Sequence, residues 1–146
     1  MSQTVEAPGE DDLETLAHQF AHADELVADL TGSRLSGRLS DLALLQRVLD
    51  TGQVQPEATY TLQALGIAFG RVLVGHTPHH DWWMVEDEHG RDPAVRYKET
   101  SLLVFPQTMI SKRVEDGESI DVQDFYEDLQ HQLASIRAEH YPDEAC

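Results

Sequence analysis

The sequence predicts an α+β domain: N-terminal helices, a small three-stranded antiparallel β-meander, and C-terminal helices packed on the sheet. Three observations carry this expectation. Apolar residues recur at three- and four-residue steps from Leu13 to Leu73, the spacing of helical faces. Between Trp82 and Phe105 the pattern changes to short β-rich runs broken by turn residues. After Gly117 a helical stripe resumes behind an aspartate suited to capping it.

Residues 1–11 are polar, contain Pro8-Gly9 and read as a flexible lead-in to a single domain over residues 12–141, with a tail at 142–146. Asp11 or Asp12 caps a first helix whose expected core face is Leu13, Leu16, Ala17, Phe20, Val27 and Leu30. Gly32 suits its left-handed C-cap. A second helix, capped by Ser40 or Asp41, offers Leu42, Leu45, Val48 and Leu49. Pro56 suits the first turn of a third helix, which is apolar nearly all round and should therefore be the buried one. On it Gly66 and Gly70, one turn apart, would let another element approach the backbone closely.

The β region begins as a hairpin, Trp82–Asp87 with Ala94–Tyr97, expected to turn at His89-Gly90. That turn pairs Trp82 with Tyr97 and Val85 with Ala94. One face then holds Trp82, Met84, Val95 and Tyr97, and the other Trp83, Val85, Ala94 and Arg96. A turn at Lys98-Glu99 leads to a third strand, Ser101–Phe105, and Pro106 starts a short helix through Val114. Asp121 caps the last helix, Ile120 staples onto Phe125, and Pro142 ends it.

The formal net charge of −17 lies at the two ends. Residues 1–30 carry eight acids and no Lys or Arg, residues 31–114 carry nine of each sign, and residues 115–146 carry ten acids against Arg137. Such a field repels nucleic acid and anionic membrane and draws basic partners. Cys146 is the single cysteine, which excludes an intramolecular disulfide. The stretch MSQTVEAPGEDD has neither a basic n-region nor an apolar core, and no run approaches the roughly 20 apolar residues of a membrane span. The expected location is cytoplasmic.

Motifs of known chemistry are missing. Gly70 and Gly75 bracket four residues as in a phosphate loop, but His76 follows in place of Lys-Ser/Thr. Aligning Gly90 with the glycine of a calcium loop puts Val85 and Arg96 at the outer ligand positions. His18 and His22 lie one turn apart with Glu25 and Asp29, and His76, His79 and His80 share a loop. Zinc normally takes three or four converging ligands, so the expectation is no metal and no cofactor, with metal binding by the His76–His80 loop left open. The candidate binding residues are Trp83 with Arg96, which can stack on one sheet face, and the acidic hairpin tip Glu86, Asp87, Glu88 and Asp92. No catalytic residue is assigned.

The run Trp82-Trp83-Met84-Val85-Glu86-Asp87-Glu88-His89-Gly90-Arg91-Asp92, and above all Phe105-Pro106-Gln107-Thr108-Met109-Ile110-Ser111-Lys112-Arg113, resembles a bacterial family known as domain of unknown function 3806. The resemblance covers about residues 60–130, leaving the N-terminal helices and the histidine loop outside. It implies a cytoplasmic α/β module and supplies no catalytic residue. The functional expectation is a small acidic interaction module for a protein partner, basic in character, such as an immunity or adaptor protein. The alternative is a small-ligand-binding or enzymatic domain with a pocket near Trp83, Arg96 and the Glu86–Asp92 carboxylates.

Overall fold

The computed structural model describes residues 3–142. In chain order they form β1 (Thr4–Glu6), α1 (Glu10–Thr31), α2 (Asp41–Asp50), α3 (Thr59–His76), β2 (His80–Asp87), β3 (Gly90–Tyr97), β4 (Leu103–Val104), α4 (Pro106–Glu115) and α5 (Val122–His140). The α+β class is as the sequence predicts, but the antiparallel sheet has four strands, in the order β1-β2-β3-β4. The extra strand comes from the expected lead-in. Thr4, Val5 and Glu6 pair with Glu86, Val85 and Met84, and so cover the outer edge of β2. Three residues are too few to announce a strand by alternation, and only the tertiary partner makes them one.

The hairpin turns at Glu88-His89, with Asp87 opposite Gly90, one residue earlier than expected. Each strand residue therefore pairs two positions away from the expected register: Trp82 faces Val95, and His80 faces Tyr97. A slip of two preserves the period of the pleat, so the two faces keep their expected members. Asp87 accepts the His89 amide at 2.8 Å and closes the turn with its own side chain. The third expected strand is reduced to Leu103-Val104, paired with Arg96 and Val95.

Helix α3 is the centre of the core. Every residue from Ala64 to Gly70 is buried, as its all-round apolar sequence requires. It starts at Thr59, leaving Pro56 in the preceding turn. Its two glycines have the expected role. A Cβ at Gly66 would collide with the Pro106 carbonyl and lie 2.8 Å from that of Gln107, and one at Gly70 would lie 2.6 Å from the Trp82 ring. The start of α4 and the Trp82 face of the sheet thus both rest directly on the α3 backbone. Phe69 packs against Phe125 and Tyr126 of α5, with ring centroids 5.5 and 5.7 Å away.

Capping departs from expectation at α1 and α2. α1 starts at Glu10 behind Gly9, so Asp11 and Asp12 lie inside its first turn and neither is the N-cap; no side-chain cap bond comes from Ser40 at α2. Asp121 accepts the Asp124 amide at 3.0 Å as expected. Gly32 takes the left-handed conformation, φ 78°, at the end of α1. Asp41, expected at the start of α2, is fully buried and turned back instead. Its carboxylate accepts the amides of Ser36 and Gly37 at 2.9 and 2.8 Å and so fixes the α1–α2 connection.

Candidate functional site

The acidic tip is divided by Arg91. Its guanidinium donates through Nε and Nη2 to both oxygens of Asp12, at 3.0 and 2.6 Å. Nη1 reaches Glu6 at 2.7 Å and Glu86 at 3.1 Å. One arginine thereby joins β1, the first turn of α1 and the hairpin. The Arg91 hydrogen bonds, followed by the Gly9 amide, lower the Asp12 carboxyl to about 2, and the surrounding carboxylates raise Arg91 further. Asp12 has a second local duty, accepting the Gly9 amide at 2.8 Å at the head of α1. Glu86 is thus a structural partner, Asp87 closes the turn, and Glu88 lies 3.6 Å from His89.

Trp83 and Arg96 do stack, with the guanidinium carbon 4.5 Å from the ring centroid and both side chains half-buried. Arg96 is further held by donating Nε–H to the Thr100 carbonyl at 2.6 Å. The pair lies toward the opposite end of the hairpin from the tip. Arg96 pairs with Asp81, whereas Glu86 and Asp87 pair with Arg91 and Gly90. The six sequence candidates therefore form two separate places. A recess of about 310 Å³ collects Asp87 and Asp92 beside Lys112, with Phe105, Gln107 and Thr108 around it, and lacks both Trp83 and Arg96.

Sequence reasoning missed a larger feature. The side of α1 expected to be core is only partly so. Its fully covered residues are Gln19, Ala23 and Val27, a stripe displaced by roughly a quarter-turn from Leu13, Leu16, Ala17 and Phe20. Leu13 is 54% exposed. The displaced leucines line an open groove of about 490 Å³ whose other wall is Ile67, Arg71 and Trp82. The Arg71 guanidinium caps the Phe20 ring at 4.1 Å. The signal was available: α1 carries more apolar positions than one core stripe uses, since Ala21, Ala23 and Leu26 widen the arc.

The histidines are dispersed in local contacts. His22 Nε2 lies 2.9 Å from Thr61 Oγ1, and His76 Nδ1 lies 3.0 Å from the Val72 carbonyl. Among the described residues no group of three or more His, Cys, Asp or Glu is placed to hold a metal ion. His80 is buried and donates Nδ1–H to the Pro78 carbonyl at 2.9 Å, leaving Nε2 without a partner. Burial, helped by the charge of Arg137, lowers its pKa against the pull of that carbonyl, so the ring is held neutral. Cys146 lies outside the described residues.

Residues 41–126 match the family described as domain of unknown function DUF3806. The chain belongs to this family. The matched span begins at α2 and ends within α5, so it takes in α2 and the histidine loop, both expected to fall outside. The Leu13–Phe20 wall of the groove precedes the span, whereas Ile67, Arg71 and Trp82 lie in it. A crystal structure of a protein from Bacteroides thetaiotaomicron is similar at a TM-score of 0.81 and 16% identity, over 88% of this chain. At that identity the likeness concerns the fold alone. This DUF3806 chain spans 47% of that protein's chain. No curated protein matches the sequence.

Proposed function

We propose that this DUF3806 chain is a protein-interaction module for a basic protein partner, working in the cytoplasm as an immunity or adaptor protein would. The observation that carries the reading is how little of the terminal charge is used internally. In residues 3–30 only Asp12 and Asp24 are withdrawn from solvent, into the Arg91 cluster and the Arg34–Leu35 contacts. Glu6, Glu10, Asp11, Glu14, Glu25 and Asp29 remain exposed. On the C-terminal side Glu115, Asp116, Glu118, Asp121, Asp124, Glu127, Asp128 and Glu139 are exposed as well. Some of these have local partners, Glu6 on Arg91, Asp121 on the Asp124 amide and Glu127 on Gln123, but all keep their charge at the surface, where it adds little to folding stability and much to the rate and selectivity of association with a cationic surface.

Affinity purification of the tagged protein from its host tests this reading. A stoichiometric basic partner is expected at low salt, released as ionic strength rises past about 0.15 M, where the screening length falls to about 8 Å. Recovery of no partner at low salt would count against it. A second reading, small-ligand binding, is favoured by the recess in which Asp87 and Asp92 face Lys112. It differs from the sequence expectation in excluding Trp83 and Arg96. Its signature would be binding of a small ligand that is abolished by Lys112→Ala while capture of a protein partner is unchanged.

A further inference from the structure

We infer that the α1 groove is the seat of the partner, and that its occupant is one amphipathic helix with an apolar stripe flanked by Lys or Arg. The inference rests on the interaction reading above and specifies its surface and ligand. The groove is apolar along its floor: Leu13, Leu16 and Phe20 from α1 face Ile67 of α3 and Trp82 of β2. Its lining runs along α1 from Leu13 to Asp24, about 16 Å at the rise of an α-helix, which is the length of three helical turns. Anchors at i, i+3, i+4 and i+7 of a bound helix fill such a trough, the usual mode of helix-in-groove recognition.

Charge selects among possible occupants. Residues 1–30 hold eight acids and no Lys or Arg. On the helical wheel Glu10 and Glu14 flank the Leu13–Phe20 stripe, and both are exposed. Among the described lining residues Arg71 stacks on the Phe20 ring and Asp24 is paired with Arg34, so the unpaired charge beside the stripe is that of Glu10 and of its neighbours on the first turns of α1. A second copy of the chain would bring another −17 against this face. An anionic membrane would meet the same repulsion. A helix with basic flanks satisfies both the apolar floor and the acidic wall.

The test uses the whole protein and an 18-residue synthetic helix bearing leucines at i, i+3, i+4 and i+7 and lysines on both flanks. A second peptide keeps the leucines and replaces every lysine with glutamate. Fluorescence anisotropy should give saturable micromolar binding of the lysine peptide, and at least tenfold weaker binding of the glutamate peptide. Leu13→Glu, at a position exposed enough to leave folding intact, should weaken the lysine peptide at least tenfold. The double variant Glu10→Lys, Glu14→Lys should narrow or reverse the preference between peptides. Equal binding of both peptides, no binding of the lysine peptide, or indifference to Leu13→Glu would overturn the inference. If a host partner is captured equally by wild type and Leu13→Glu, the interaction reading stands and the groove assignment fails. If neither captures a partner at low salt, the broader reading fails.

Discussion

Helices α3 and α1 are both rich in apolar residues, yet they stand in opposite relations to the rest of the molecule. α3 is enclosed along its middle, Ala64 to Gly70, by α1 and α2, by the start of α4 against Gly66, and by Trp82 against Gly70. α1 is enclosed on one stripe, Gln19-Ala23-Val27, and leaves a second stripe, Leu13-Leu16-Phe20, bordering open space. Composition alone does not separate these cases. What separates them is the charge between the apolar positions. From Thr59 to His76 the only Lys, Arg, Asp or Glu in α3 is Arg71, so little of it calls for water beyond the exposed Arg71 and its two ends. α1 interleaves its leucines with carboxylates, so any surface that covers it must also meet those charges.

The contrast can be broken by substitution, and the largest effect should come from α3. Phe69→Ala should lower the unfolding free energy by about 3–5 kcal/mol, because a large ring at 0% exposure would leave a cavity between α3 and α5. Gly66→Ala should follow at about 1–3 kcal/mol, since the new methyl meets carbonyls of α4 in place of a yielding side chain. Denaturant titration reads both. Asp41→Ala should fall in the same lower range, about 1–3 kcal/mol, by leaving the Ser36 and Gly37 amides without their acceptor. Leu13→Ala on the open stripe should change stability by less than about 0.5 kcal/mol. If Leu13→Ala were as destabilising as Phe69→Ala, the groove would in fact be core.

The smallest global effect concerns the anchoring of α1 and β1. Asp12 ionises at a lower pH in the fold than in the unfolded chain. Its contribution is therefore complete above pH 4 and is lost as pH falls toward about 2. Arg91→Met should return Asp12 toward its ordinary carboxylate range in an NMR titration and accelerate amide exchange at Thr4–Glu6, with α3 still protected. Exchange that rose equally in α3 would mean that β1 is not a separable strap. His80 works in a higher window. Its lowered pKa favours the neutral ring in the fold, so stability present above about pH 6.5 should decline as pH falls below it.

Much of the fold was legible because its signals are local. The Asp121 cap, the Pro106 helix start, the twin glycines of α3 and the two faces of the hairpin each rest on residues that name their own geometry. The hairpin register and β1 were not, for different reasons. Asp87 closes its turn one residue early by bonding the His89 amide, a choice the nearby Gly90 obscured. Thr4–Glu6 becomes a strand only because β2 offers an edge and Arg91 ties Glu6 and Asp12 to it. In the candidate site, the Trp83–Arg96 stack was foreseen, but it stands apart from the tip. The groove was missed because its leucines look like a core stripe, although Ala21, Ala23 and Leu26 already made the apolar arc of α1 wider than one stripe needs.

Hydroxyl-radical footprinting with mass-spectrometric readout tests the central contrast most directly, on the protein alone and with the lysine-flanked helix. Leu13, Leu16 and Phe20 should be oxidised in the free protein and protected when the peptide is bound, while Phe69 stays protected throughout and Trp83 does not change. Protection of Leu13 and Leu16 in the free protein, or peptide protection that falls on Trp83 and leaves the α1 residues reactive, would contradict it.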